Sequence, residues 1–564
     1  MEDKLSLVGE NEENKEYEQF EIMDEKNDSI NKIHKRTLKP FLQPKAIIKI
    51  LLLTVSALLL LIIIFQIMNS KINLKSNSLE QKSESKNLES SNNGEIKYLI
   101  KAEYFTTKDD QNIKIINTFH FPPMELDIDG KKIGPINNYT FAKKGNHIVY
   151  FYRPLNAPST LYSTQGMFKK IRKLHSISFS PLFNTQNITS MRSMFQECVD
   201  LTSIDLRYFD TSKVTNMEYM FADCWILTSL DISHFKVPNA VSIHHMFKDL
   251  HKVKYLDLSN FNAKNLKDLS FAFIGCISLT SINFNNFITP NLQSMEYTFK
   301  DCISLASIDL SSFNTEKVTT FYRLFENCTS LVSLDLSNFN TKQATIISKM
   351  FLECHNLVTV NLKSFNTDNV IAMNSLFENC YSLTSVDIKH FNAEKVVNMN
   401  KMFKGCRKLT SIDISNFKTE KAEYVDSFFK DCQSLKVLKY DNFRTDKAKS
   451  LSSFYEGCTS LTSIDVSKFN TSNVVSLQNF VCGCRSLTSI DLSNFVVDKV
   501  KEVKNMFSNC TNLNYIDISP FEFKKIEKME MFNNLTETGH IKIKQSLYQK
   551  VEKFIPKNWE VSLF

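Results

Sequence analysis

The sequence predicts an α/β solenoid of 26-residue coils, preceded by a single transmembrane helix and a small β module. Three observations carry that expectation. Cysteines recur at a fixed period, an aliphatic frame of strand type follows each of them, and a long uncharged run lies upstream behind a basic flank. At 564 residues the chain exceeds one compact core, so it holds several domains or an array whose core grows by stacking. Hydrophobic residues at 43% exclude wholesale disorder, and 45 Phe against 11 Gly give Phe a repeated structural task. The formal charge of +7 is small for this length and the Lys are scattered, which gives no support to nucleic-acid binding.

Residues 1–30 carry eleven acidic and three basic side chains, the composition of a solvated tail. The sign then reverses through Lys32, Lys35, Arg36, Lys39, Lys45 and Lys49, and ILLLTVSALLLLIIIFQIMNS runs without charge to Lys71. Its 21 residues, at about 1.5 Å each, match a bilayer core of roughly 30 Å. A cleaved signal peptide would have a shorter apolar core and an A-x-A-like exit. The expected order is a cytoplasmic tail over 1–45 and a membrane span over 46–68, with the repeats outside by the positive-inside rule. That is a single-pass type II plasma-membrane protein with extracellular C-terminal repeats. Within the tail, Tyr17 to Phe20 (YEQF) resembles a tyrosine-based sorting signal.

Residues 69–94 are Ser, Asn, Lys and Glu without an apolar period and read as a flexible stalk. Residues 95–165 contain EIKYLIKAEYF, MELDIDGKKI and NYTFAKKGNHIVYFYR, with Asp129-Gly130 and Lys144-Gly145 at turn positions. This is the pattern of a small β module that caps the repeat array at its N-terminal end.

Over 166–535 the cysteines at 198, 224, 276, 302, 328, 354, 380, 406, 432, 458, 484 and 510 share a 26-residue period, and Leu250 fills the one gap. Apolar residues follow at three, six and eight places, as in Leu305, Ile308 and Leu310, the L-x-x-L-x-L frame of leucine-rich repeats. Phe stands eleven places on in all thirteen units, from Phe209 to Phe521, and must face the Phe of the neighbouring coils. Val396, Met399, Met402 and Phe403 have the spacing of one face of a short helix. Each coil thus reads as a strand, a Phe turn and a helical return, with 536–564 as a C-terminal cap. The period cannot vary, because each side chain lies over its counterpart one coil away.

SLTSIDLSNF, FNTSNVVSLQNF and NMNKMFKGC resemble BspA-type leucine-rich repeats of bacterial and protist surface proteins, the family also described through a mycoplasma domain of unknown function. MELDIDGKKIGP and YTFAKKGNHIVYFY are similar to the segment preceding the repeats in protist members. The resemblance implies a surface-exposed solenoid for adhesion or partner binding, without a particular ligand. Where well-known leucine-rich repeats have a buried Asn ladder, this chain has Phe.

The outward residue seven after the cysteine is Asp205, Asp231, Asp257, Asp309, Asp335, Asp387, Asp413, Asp465, Asp491 or Asp517 in ten of thirteen units. With strands about 4.8 Å apart, these carboxylates form a stripe that serves either a basic partner or the capping of their own turns. The twelve in-register cysteines read as buried thiols; pairing between coils requires Cα atoms within about 7 Å. Cys482 lies outside the ladder, and His244-His245 has no ligand at metal-binding spacing. Asn138, Asn187, Asn327, Asn470, Asn509 and Asn534 begin N-x-[ST] and are candidate glycosylation sites. No nucleophile elbow, phosphate loop or H-E-x-x-H occurs, so no enzyme activity, cofactor or metal is expected. The functional expectation is a membrane-anchored module binding a protein or extracellular matrix ligand. A self-associating surface coat and a signalling receptor are the alternatives.

Overall fold

The computed structural model describes residues 97–117, 124–153, 161–523, 526 and 530–564, and these belong to one compact unit. The tail, span and stalk expected over 1–94 lie outside the described residues. Among the described residues, no helix is long and apolar enough to cross a membrane.

The N-terminal module is a sheet that runs directly into the repeats. Strands β1 (Ile100–Thr106), β2 (Gln111–Lys114), β3 (Glu125–Ile128), β4 (Lys131–Ile133), β5 (Asn138–Phe141) and β6 (Gly145–Tyr152) precede β7 (Leu174–Phe179) and β8 (Ser203–Asp205). Six of them form one sheet in the order β4-β3-β6-β1-β7-β8, while β2 pairs with β5. In β1 the even-numbered Ile100, Ala102, Tyr104 and Thr106 are buried and the residues between them face outward, the period of two that a half-buried strand requires. The β3–β4 hairpin turns on Asp129 and Gly130 at φ 51° and 83°, the double left-handed conformation that Asp-Gly tolerates. β7 pairs antiparallel with β1 and parallel with β8, so the module covers the first coil with backbone hydrogen bonds.

Strands of about three residues then recur along the coils and pair parallel with the same positions 26 residues away, as in Ser281↔Tyr255 and Asp335↔Asn361, while the equivalent positions 229–231, 307–309, 385–387 and 463–465 form no strand. A second parallel ladder, one residue per coil, runs from Ser163 to Glu502 through fourteen coils. Its first step, Ser163 to Ser190, spans 27 residues, and the later steps span 26. The extra residue lies in the stretch containing Pro181.

The return limb is not helical, and the fold is mostly β rather than α/β; the only α-helix among the described residues is α1 (Gln545–Val551). Backbone geometry explains the difference. Residues five and one before the cysteine have positive φ in coil after coil, such as Ser193 and Glu197 (56° and 60°) or Tyr219 and Asp223 (58° and 62°). A left-handed residue every four positions interrupts an α-helix. Alternate amides point to the next coil instead, as in Ser193 N–H to Glu218 O at 2.8 Å and Phe195 N–H to Met220 O at 2.9 Å. Chained turns bury every third or fourth residue, which is why the apolar spacing imitates a helix.

Two aromatic columns and one thiol column fill the interior. The Phe at eleven places after each cysteine is at most 4% exposed in all thirteen units. A second column, three places before the cysteine, stacks nearly face to face: Phe299–Phe325, Phe325–Phe351 and Phe351–Phe377 have centroids 5.5, 6.0 and 5.3 Å apart and planes within 10°. At the C-terminal end, Tyr515–Ile518, Thr538–Ile543 and Asn558–Leu563 pair parallel. Trp559 closes this end, buried with its indole N–H on Thr536 O at 3.0 Å.

Candidate partner-binding surface

The strand side presents the one chemically uniform face of the coils. On the coil strands an aliphatic residue points inward, while Ser or its substitute and the following Asp, or in single coils Asn or Lys, point out, as in Ser333-Leu334-Asp335. All ten stripe carboxylates accept the backbone N–H two residues on, from Arg207 (Asp205) to Ser519 (Asp517), at 2.9–3.4 Å. Asn283 and Asn361 make the same bond. The row therefore caps the following turn in twelve of the thirteen units, the exception being the one with Lys439. The backbone amide of Ser311 holds Asp309 below the usual carboxylate range, and that of Ser337 does so for Asp335. For Asp465 and Asp491 the hydroxyls of Ser467 and Ser493 are the main cause.

Basic side chains meet the row only in places. Arg207 lies 3.0 Å from Asp205, Lys389 and Lys439 lie 4.0 Å from Asp413, and Lys542 lies 3.5 Å from Asp517. Among the described residues, Asp309 and Asp335 have no ion-pair partner within 4.0 Å. The row also continues onto the module, which the repeat pattern in the sequence does not disclose. Lys132, Asp127, Tyr150, Lys101, Ser178 and Asp205 are successive cross-strand partners on one outward face. The alternation in β6 signals which residues face out, but only the β7–β8 pairing joins the two regions.

The turn edge beyond Phe replaces the Asn ladder with Thr. Thr341 Oγ1 donates to Asn366 O and accepts from Asn366 N–H, both at 2.8 Å, and Thr315 and Thr367 repeat the exchange with Asn340 and Asn392. These threonines are at most 3% exposed. A hydroxyl can donate and accept at once, so one buried atom satisfies two backbone groups of the next coil.

All thirteen cysteines are free thiols. The ladder thiols donate to carbonyls of the preceding coil, such as Cys328 to Phe299 O at 3.1 Å, and burial pushes Cys276 and Cys510 up to about 12. They are therefore unreactive packing groups. On the return side, His245 is sandwiched between Tyr219 and Phe271 at 4.7 and 4.6 Å, and burial lowers it to about 3, keeping the ring neutral. Among the described residues, no group of three metal-ligating side chains comes together. Thr106, His147 and Asp129 are linked in the module at 3.1 and 2.7 Å. Thr106 and His147 are buried, and the Thr106 hydroxyl donates to Lys143 O, so the chain of bonds fastens a hairpin and exposes no nucleophile.

The candidate glycosylation sites differ in freedom. The amide nitrogens of Asn327, Asn470 and Asn534 donate to Asp301, Asp446 and Asn509 at 2.8, 2.9 and 2.9 Å. Asn509 and Asn138 are exposed, and half-buried Asn187 accepts from Lys213.

Solved structures similar to this chain share 14 or 15% of residues with it. The TLR13-ssRNA13 complex is matched over 61% of this chain and 63% of that one, with a TM-score of 0.15. The Drosophila Toll–Spatzle complex is matched over 69% and 47%, at 0.21. The functional domain of InlJ from Listeria monocytogenes, described as including a cysteine ladder, is matched over 68% and 72%, at 0.15. The chain thus spans less than two thirds of the length of the first two. No curated protein matches it. The model of one family, a Mycoplasma protein of unknown function, DUF285, matches residues 162–280, 241–358, 345–462 and 425–545. These segments together cover more than half of the chain, which therefore belongs to that family.

Proposed function

We propose that this chain is a membrane-anchored, cell-surface repeat protein of BspA type whose outward strand face binds a protein or matrix ligand on another surface. The observation that carries the reading is the outward row that begins on the sheet of β3 and β8 and recurs coil by coil, with Asp309 and Asp335 free of ion pairs within 4.0 Å among the described residues. A parallel sheet whose backbone is already satisfied offers side chains at a regular spacing to a long partner. The apolar span over 46–68, uncharged from Ile50 on, and the stalk over 69–94 supply the anchor and the reach. No step of chemistry is assigned to the surface.

The test uses cells displaying the full chain, with adhesion to immobilised matrix proteins measured at low and physiological salt. Salt-sensitive adhesion that is lost when Asp309, Asp335 and Asp387 become Asn is the expected result. Salt-insensitive adhesion, or adhesion unchanged in that variant, rejects the strand face as the site. Concentration-dependent self-assembly without any foreign ligand rejects adhesion in favour of a coat.

A further inference from the structure

The position immediately after the ladder cysteine lies on the edge between return limb and strand. Its residue varies freely: Trp225, His251, Ile277, Ile303, Thr329, His355, Tyr381 and Arg407 in successive coils. Stacking therefore demands no particular side chain there. In four consecutive coils the position nevertheless forms a ridge of Trp225, His251, Ile277 and Ile303, apolar except at His251, whose Nε2 lies 3.6 Å from Asp249. Trp225 is 45% exposed, Ile277 and Ile303 are each 37% exposed, and Ile226, next to Trp225 in the same coil, is 37% exposed as well. Trp225 stacks on His251 with centroids 6.2 Å apart and planes within 12°.

The chain has two Trp: Trp559 is buried in the cap, whereas Trp225 stands at the surface without a structural requirement to be Trp. Exposed tryptophan beside isoleucine is the composition of an interface anchor. Rows of carboxylates flank the ridge in coil order. Asp223, Asp249 and Asp301 precede it, and Asp231, Asp257 and Asp309 follow on the strand face. From two places before the ladder position to seven after it, the Lys residues of these four coils are Lys248, Lys252, Lys254 and Lys300, so six carboxylates against four ammonium groups leave net negative charge (4 − 6 = −2). Lys248 is held by Asp223 and Asp249 at 2.7 and 2.8 Å, and Lys300 by Glu326 at 3.1 Å, which leaves Asp231, Asp257, Asp301 and Asp309 as the flanking carboxylates without an ion pair among the described residues.

We infer that this ridge docks a basic amphipathic helix of a partner protein. Its apolar stripe lies along Trp225, His251, Ile277 and Ile303, and its Lys or Arg residues reach the flanking carboxylates. Coils about 4.8 Å apart give the four-coil ridge a length of roughly 15 Å, the length of about ten helical residues. That is three turns, with anchors at i, i+3 or i+4, and i+7. The inference rests on the protein-binding reading above but uses a different edge of the coil.

Tryptophan emission of the purified full-length chain reads this site directly. The probe is a Leu/Lys peptide of about 18 residues with leucines on one helical face, and the control is the same composition rearranged to remove that face. The amphipathic peptide should shift the emission to the blue, saturably and less at high salt. The shift should vanish in Trp225→Phe, which leaves Trp559 as the reporter, and apparent affinity should fall roughly tenfold or more in Ile277→Asp, as for loss of an interface anchor. Because residue 277 is 37% exposed, the urea midpoint of Ile277→Asp should stay at the parent value. Trp225→Tyr, which keeps an aromatic anchor, should retain binding by calorimetry. No saturable shift, equal response to both peptides, or an unchanged affinity in Ile277→Asp overturns the inference. A shift that grows with protein concentration alone and disappears in Ile277→Asp overturns it in favour of a second copy. A peptide response without cell adhesion rejects only the adhesion reading, and adhesion dependent on the three strand-face Asp without a peptide response rejects only the ridge.

Discussion

The strand limb and the return limb of each coil meet the same requirement, pairing with identical backbone one coil away, by opposite means. On the strand limb, short extended segments pair in register and the outward positions are nearly uniform, Ser then Asp. On the return limb, left-handed residues turn alternate amides sideways, and the residues five before the cysteine differ from coil to coil: Tyr219, His245, Phe271, Tyr297, Arg323, Lys349. The difference separates what a repeat must keep from what it can vary. An Asp that caps its own turn is part of the repeat, whereas a side chain projecting from a turn fixed by backbone and core is free to acquire other contacts. A positive φ costs about 1–2 kcal/mol for a residue with a Cβ, and inter-coil hydrogen bonds offset it.

Removing a ring from each limb tests the contrast most severely. Phe351→Ala on the return side and Phe339→Ala on the strand side both empty a fully buried site, and each should cost about 3–5 kcal/mol in urea unfolding. Because coils couple to their neighbours, amide exchange should accelerate in the adjoining coils as well. If Phe351→Ala costs less than half as much as Phe339→Ala, the second column is not a source of cohesion.

At the edge between the limbs, Thr341→Val leaves the N–H and C=O of Asn366 without their buried partner and should cost about 1–3 kcal/mol, with Thr341→Ser closer to the parent. Equal unfolding midpoints for Val and the parent would show that the Thr ladder contributes no net stability. On the return side, Gly405 has φ 77°, and a Cβ there would lie 2.3 Å from Asn379 Oδ1. Gly405→Ala should therefore cost about 1–2 kcal/mol, the left-handed penalty, because the Asn379 side chain can shift. A stabilising substitution would contradict the left-handed assignment.

The smallest effect concerns the Asp row and pH. Asp309, Asp465 and Asp491 have folded values depressed by their turn hydrogen bonds. The stability they contribute is present above the unfolded carboxylate value of about 3.9 and lost as pH falls through the folded one. Replacing the three with Asn, which caps equally well at 283 and 361, should leave the neutral-pH melting temperature nearly unchanged and flatten its decline below about pH 4. A parallel decline in parent and variant would remove these groups from acid unfolding. The glycan sites probe the surface independently. In a eukaryotic secretory host, mass spectrometry should find Asn138 and Asn187 more occupied than Asn327, Asn470 and Asn534, whose amide nitrogens already donate.

The period, the inward Leu, Phe and Cys columns and the outward Asp row are all legible in the amino-acid order, because a one-dimensional stack forces every coil to place like over like. The turns leave a trace there too: Asp, Asn, Gly or Glu stands before every ladder cysteine, and three of these are residues that tolerate positive φ. Where the return-limb amides point is settled only by tertiary contact. Spacing of three to four fits a helix bonded to itself and a chain of turns bonded to its neighbour equally well, and only the presence of a neighbour at backbone distance selects the second. The same holds for the Thr ladder, whose partners lie 25 residues away, and for the apolar ridge. Trp225, His251, Ile277 and Ile303 are each separated from the next by 26 residues and become one surface because the coils stack.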